Sequence, residues 1–120
     1  MYFYRWEDIA KDVEGGATLP AGMSRRGITL GDAMLAMHET VPNLKGKPHS
    51  HDSAQIAYML QGRMKMTIGG ESRIIGPGEF AYVPSGVEHS VESLDDYVLE
   101  VDIFTPPRPD IAKRLDELKD

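Results

Sequence analysis

The chain has 120 residues, enough for one domain and too few for two independent cores. Hydrophobic residues are 41% and charged residues 27%, the balance of a globular domain and too apolar for a disordered one. The net charge of −6 argues against a protein that binds by neutralising nucleic-acid phosphates, and the absence of cysteine excludes thiolate catalysis, disulfides and Cys-ligated metal centres.

The opening Tyr2-Phe3-Tyr4-Arg5-Trp6-Glu7-Asp8 lacks the apolar core of a signal peptide, and no apolar run reaches bilayer length. A cytoplasmic protein without membrane contact is expected. The aromatic cluster Tyr2, Phe3, Tyr4 and Trp6 either caps the fold or seals a homodimer. Twelve glycines and eight prolines punctuate the chain and leave short runs of about five to nine residues between them, the pattern of an all-β sandwich or barrel. Arg25 and Arg26 read as a solvated turn, with contact to a ligand as the alternative. His38, within Met34-Leu35-Ala36-Met37-His38, reads as a strand residue outside the main motifs.

Further along, Arg63–Ile68 alternates with its even positions apolar, so Met64 and Met66 are expected to fill the core. Gly69-Gly70 predicts a hairpin into Ser72–Ile75. Glu79–Pro84 is a further strand, in which Tyr82 shares parity with Phe80 and Pro84 and faces either the core or a pocket. Tyr97–Phe104 is the clearest strand. Its odd residues Tyr97, Leu99, Val101 and Ile103 are apolar and predict a face packed on the core or a second sheet, leaving Glu100, Asp102 and Phe104 opposite. Near the end, Ile111, Leu115 and Leu118 recur at helical spacing after Pro109 and predict one short helix.

Three of the four histidines belong to one pattern. His49 and His51 lie two apart and share a face if extended, Gln55 follows at four residues, and Gly62 seven later. A second run holds Gly78, Pro84, Gly86 and His89. A lone His-x-His is usually a polar strand, but the combination predicts one metal centre made by three imidazoles and an amide oxygen. The two runs resemble the two motifs of the cupin superfamily, which implies a single-domain jelly-roll β-barrel over residues 1–120. Three positions depart from that pattern: Asn43 stands where a glycine is usual, Gln55 replaces a glutamate ligand, and Ser93 replaces an asparagine. With Gln55, His49, His51 and His89 as ligands, a divalent ion keeps its full formal charge, which favours an anionic substrate over a neutral one.

Downstream, Asp102, Phe104 and Arg108 stand at alternating positions that run into a proline-rich turn. An acid, an aromatic and an arginine at a metal mouth suit proton transfer, a substrate wall and a carboxylate clamp respectively. The run Asp-x-Phe-x-Pro-x-Arg-x-Asp, the Gln55 ligand and the opening Tyr-Arg-Trp-Glu-Asp are similar to the KdgF pectin-degradation cupins. The resemblance implies a metal-dependent enzyme that opens and ketonises 4,5-unsaturated monouronates from pectin or alginate; the alternatives are a cupin isomerase, lyase or dioxygenase acting on another small carboxylate, and a non-catalytic sugar-acid-binding cupin. It implies metal ligands His49, His51, Gln55 and His89, and substrate or catalytic contacts from Asp102, Phe104 and Arg108. The ion would be divalent, with nickel, zinc, iron, manganese, cobalt and copper all compatible with such a site.

Overall fold

The computed structural model describes residues 1–119. Nine strands run in chain order: β1 (Lys11–Asp12), β2 (Met23–Leu30), β3 (Ala33–Thr40), β4 (Ala54–Gln61), β5 (Met64–Ile68), β6 (Glu71–Ile75), β7 (Phe80–Val83), β8 (His89–Ser93) and β9 (Val98–Thr105). One helix follows, α1 (Pro109–Glu117), and short 3-10 turns occupy Trp6–Asp8 and Gly16–Thr18. The strands form a larger antiparallel sheet in the order β1-β2-β3-β9-β4-β7 and a smaller one in the order β6-β5-β8. The expected all-β architecture with a C-terminal helix is therefore present. Among the described residues no helix is long and apolar enough to cross a membrane.

Period-two alternation sets the packing between the sheets. Met64 and Met66 of β5 and Ile75 of β6 meet Ala57 and Met59 of β4, Val83 of β7 and Val98 of β9 in one buried cluster. Lys65, between the two methionines, is exposed. The β5–β6 connection is the expected Gly69-Gly70 turn, and both glycines have positive φ (56° and 86°), which matches the twist of the flanking strands. Gly62 also needs to be glycine: its φ is 77°, and a Cβ there would lie 2.1 Å from the Tyr97 carbonyl oxygen.

The two faces of β9 are the reverse of the expected arrangement. Val98, Glu100, Asp102 and Phe104 are buried between the layers, while Leu99, Val101 and Ile103 are only half-buried on the outside, and Tyr97 precedes the strand and is exposed. Cross-strand register explains the apolar outer face. Leu35, Ile103, Ile56 and Tyr82 form one ladder across β3, β9, β4 and β7; Met37, Val101, Tyr58 and Phe80 form the next. The apolar residues cover one another across the sheet, which frees the inner face to carry polar groups. Tyr82 is 60% exposed and Phe80 66%, so neither reaches the core or the pocket. Tyr2 and Phe3 are exposed as well and cap nothing within the chain.

Helix α1 starts at Pro109, where the missing N–H costs nothing. Its Ile111 joins Met34, Ala36 and Phe104 in a second cluster, and Leu115 packs over Gly27. The helix is tied to the N-terminal segment by a buried carboxylate. Asp12 accepts hydrogen bonds from Arg114 Nε (2.8 Å) and Nη2 (3.1 Å), from the Gly15 amide (2.8 Å) and from the Glu14 amide (3.1 Å). Arg25 is fully buried against the same group, with Nη2 3.5 Å from Asp12 Oδ2 and 2.9 Å from Thr18 Oγ1. The reading of Arg25 as a solvated turn residue is thus corrected: it lies in β2 facing inward, where Asp12 and Thr18 compensate its charge. Arg26 points the other way and donates to the Trp6 and Ile9 carbonyls.

The bonds from Arg114, with help from the two amides and against the cost of burial, hold the Asp12 carboxyl far below the usual carboxylate range. A lowered folded value means that the unfolded chain takes up the proton first. The stabilisation is complete above about pH 3.8, the ordinary value, and is lost progressively as pH falls below it. Asp12→Asn leaves Arg25 buried without its partner and is expected to cost about 3–5 kcal/mol at neutral pH. Urea unfolding checks this, and the variant should also show a flatter stability profile than the wild type below about pH 3.8.

Candidate metal centre

The two histidine-bearing runs are joined by backbone hydrogen bonds. His49 and His89 exchange both amide–carbonyl bonds at 2.9 Å, and the Gly86 amide donates to the His51 carbonyl at 2.9 Å. This pairing brings three imidazoles together, with ring centroids 5.7 Å (His49–His51), 4.3 Å (His49–His89) and 4.8 Å (His51–His89) apart. The departures at Asn43 and Ser93 support the loop that carries them. Asn43 has φ of 59°, a left-handed conformation in which asparagine is the best substitute for glycine. Ser93 Oγ donates to the Val41 carbonyl (2.7 Å) and accepts from the Leu44 amide (2.9 Å).

Each ring is oriented through Nδ1. His49 donates to the Lys47 carbonyl (3.3 Å), His51 to the Ser53 carbonyl (2.8 Å) and His89 to the Val87 carbonyl (2.9 Å). A carbonyl only accepts, so Nδ1 carries the proton and each Nε2 presents a lone pair. The His89 Nε2 is buried with no partner. His51 Nε2 lies 3.1 Å from Gln55 Oε1, and neither atom has a proton to donate. Two lone pairs facing each other at this distance are the arrangement of adjacent ligands around a cation. Burial lowers the His49 pKa and pushes that of His89 down to about 4, which keeps both imidazoles neutral and ready to ligate near neutral pH. His49, His51, His89 and Gln55 therefore form a coherent set of hard and borderline donors for a divalent ion.

The orientation of Gln55 comes from Asp102. Gln55 Nε2 donates to Asp102 Oδ1 at 2.8 Å, which turns Oε1 towards His51. The other oxygen, Oδ2, lies 2.6 Å from His38 Nδ1. Asp102 is flanked in register by Ala36 on β3 and Ala57 on β4. These small side chains leave space for the diagonal neighbours His38 and Gln55 to reach the carboxylate from opposite sides. His38 is the strand residue outside the motifs that its pattern predicts, and it reaches the site through Asp102. Its alternation with Met34 and Ala36 on the inner face was the signal available.

These groups open on a cavity of about 640 Å³. Its walls include Asp102, Glu100, Phe104 and Arg108, and the segment Gly16–Ala21 covers one side. Phe104 stands edge-on to His51 with centroids 5.6 Å apart. The Arg108 guanidinium lies 5.3 Å from the Phe104 ring centroid and bonds Asp110 at 2.8 Å through Nη2. Stacking and the carboxylate fork fix its direction. Six of the seven predicted site residues line this cavity, and His51 packs against three of them, Gln55, His89 and Phe104. Arg25, Arg26 and Tyr82 do not line the cavity.

Two antiparallel sheets that bring three imidazoles together define a jelly-roll class with a candidate metal site. The match to known families agrees: the cupin domain model covers residues 36–104, and the chain belongs to the cupin family. Within that family it is KdgF-like. It is 34% identical over 91 residues to the pectin degradation protein KdgF of Dickeya dadantii, covering 74% of this chain and 83% of that protein. The structure of KdgF from Halomonas sp. superposes with a TM-score of 0.71 at 29% identity, over 75% of this chain and 84% of that one. An RmlC-like cupin from Shewanella frigidimarina gives a TM-score of 0.80 at 20% identity over 92% and 96% of the two chains, a likeness of fold.

Removing a ligand tests the centre directly. His89→Ala is expected to lower divalent-metal affinity by at least about tenfold and Gln55→Leu by less, with the far-ultraviolet circular dichroism unchanged. Metal analysis of the dialysed proteins checks the order.

Proposed function

We propose that this protein is a metal-dependent enzyme that opens and ketonises 4,5-unsaturated monouronates released in pectin or alginate breakdown. The observation that carries this reading is the juxtaposition of a neutral donor set, Asp102 directly behind it, and Arg108 braced on Phe104 in one cavity. The relationship to proteins named for pectin degradation supports the substrate class.

The substrate is an anion whose carboxylate is conjugated to an enol ether. Arg108 suits the carboxylate as a bidentate partner, and Phe104 offers a flat wall for the ring. Asp102 takes the proton from a hydroxyl oxygen and returns one to carbon, the two transfers that ketonisation needs. His49, His51, His89 and Gln55 would hold a divalent cation, which would supply positive charge against developing enolate charge, undiminished because none of these ligands is charged. The uncatalysed opening already proceeds, so a modest acceleration suffices.

The test is turnover of 4,5-unsaturated galacturonate, followed by loss of its conjugated absorbance against the spontaneous rate. Acceleration that disappears on chelation and returns with a divalent metal supports the reading; no acceleration by a folded, metal-loaded sample sinks it. Asp102→Ala is expected to lower kcat by at least about a hundredfold with metal retained, whereas Arg108→Ala should chiefly raise KM.

We also infer a homodimer formed through the outer face of the larger sheet. The two apolar ladders end in exposed Tyr58, Phe80 and Tyr82, with Tyr58 and Phe80 stacked at 6.1 Å, and a second copy of the same face would cover them. Sedimentation equilibrium is expected to give twice the chain mass for the wild type and the single mass for Phe80→Lys. A monomeric wild type refutes the pairing.

A further inference from the structure

Stability alone does not account for Arg25. Its side chain is fully buried in β2, and among the described residues its Nε has no partner. The neighbouring carboxylate, Asp12, is already held by Arg114 at 2.8 and 3.1 Å and by two backbone amides. Asp12 Oδ2 lies 3.5 Å from Arg25 Nη2, the outer limit of a hydrogen bond. Well-packed apolar side chains in place of a buried charge pair are often as stable or more so. The closest contacts of the guanidinium are both on Thr18: Nη2 donates to Thr18 Oγ1 at 2.9 Å and Nη1 to the Thr18 carbonyl at 3.3 Å.

Thr18 sits in the middle of residues 16–21, which form one side of the cavity and belong to neither sheet. Local bonds give this segment its shape. The Thr18 amide and hydroxyl both donate to the Gly15 carbonyl, at 3.0 and 2.7 Å, and the Met23 amide donates to the Pro20 carbonyl at 3.1 Å. Leu19 packs over Gly15, where a Cβ would lie 2.1 Å from the Leu19 Cβ. Placement against β2 and β1 comes from longer-range bonds: Asp12 to the Gly15 amide, and Arg25 to Thr18. Of these, the Arg25 pair reaches a residue that lines the cavity. It also occupies the Thr18 hydroxyl and carbonyl, and the segment's other side chains in the wall, from Ala17, Leu19, Pro20 and Ala21, are apolar.

We propose that Arg25 is a positioning residue for substrate binding: by gripping Thr18 it holds residues 16–21 as a fixed wall of the cavity, and so governs the fit of a substrate that it does not itself touch. A single ammonium lacks the planar fork that meets a hydroxyl and a carbonyl together, so lysine does not substitute. A passive wall contributes equally to bound substrate and transition state, so loosening it raises KM and spares kcat. The kinetic part of this inference rests on the uronate reading above; the clamp itself does not.

Three variants test it, each with metal content and far-ultraviolet circular dichroism matched to the wild type. Arg25→Lys keeps the charge and loses the fork. Thr18→Val keeps the buried charges and removes the hydroxyl, and it decides the matter if the lysine variant does not fold. Arg26→Met is the control, because Arg26 holds the Trp6 and Ile9 carbonyls, on residues that do not line the cavity. Arg25→Lys and Thr18→Val are expected to raise KM for 4,5-unsaturated galacturonate about fivefold or more with kcat within about twofold. Both should speed hydrogen exchange at the Thr18 and Met23 amides about tenfold. Arg26→Met is expected to change neither. Unchanged KM or unchanged exchange in a folded Thr18→Val overturns the proposal. An equal rise of KM in Arg26→Met also overturns it, because the effect is then general loosening. If the wild type does not turn over the uronate, the substrate reading fails and exchange alone decides: faster exchange in the two variants upholds the clamp, and wild-type protection overturns it.

Discussion

The hydrogen bond from Gln55 to Asp102 is the contact on which the site depends. A free amide could present either its oxygen or its nitrogen to His51. With the nitrogen committed to a carboxylate, only the oxygen is left, and it faces His51, one of three imidazoles whose ligating nitrogens lie within 4.8 Å of one another. The same bond occupies one side of Asp102, and His38 occupies the other. The candidate ligand Gln55 and the inner His38 are therefore both oriented by a single buried carboxylate, positioned by β9 between two alanines that make room for its partners.

That arrangement imposes a demand on the rest of the fold. An inner face carrying Glu100, Asp102, His38 and Gln55 contributes little apolar burial in the middle of the sandwich. Cohesion comes instead from either side of it: the methionine-rich cluster between the sheets, and the cluster formed by Met34, Phe104 and Ile111 under the helix. At the open end, Asp12 holds α1, β2 and the turn after Gly15 together through charged hydrogen bonds. The segment Gly16–Ala21 follows directly from that anchor and closes one side of the cavity. Most of the stability is thus supplied away from the candidate site, with Phe104 shared by both, so the pocket can retain unpartnered lone pairs and crowded carboxyls.

The convergence of His49, His51, Gln55 and His89, most strands, the hairpin at Gly69-Gly70 and the terminal helix were legible because each rests on local pattern: fixed spacing, period-two alternation, or a turn that only glycine makes cheaply. The direction of β9 was not. Alternation shows that a strand has two faces and cannot say which is interior, and the usual rule that the apolar face turns inward fails when the interior is a polar site and neighbouring strands cover the outside. Leu35, Ile56 and Tyr82 lie far from Ile103 in sequence, so the ladder that shelters it exists only once the strands pair. Arg25 and His38 escaped for the same reason. Each is explained by a carboxylate from a distant segment, Asp12 or Asp102, and neither partner is marked by spacing.

The glutamine in the ligand set follows from the acid behind it. A glutamate at position 55 would face Asp102 with a second carboxylate, and Glu100 already crowds that group from its own strand. Three carboxyls in a dry pocket would either hold further protons or push one another apart, and Asp102 would lose an N–H donor in either case. The amide resolves this by offering an acceptor to the cation and a donor to the acid in one planar group. The carboxyl group that a glutamate would place among the candidate ligands stands one residue outward instead, at Asp102. A donor set without charge and a carboxyl group immediately beyond it are two consequences of the same amide, which is why the residue at position 55 and the residue at position 102 are best understood as one choice.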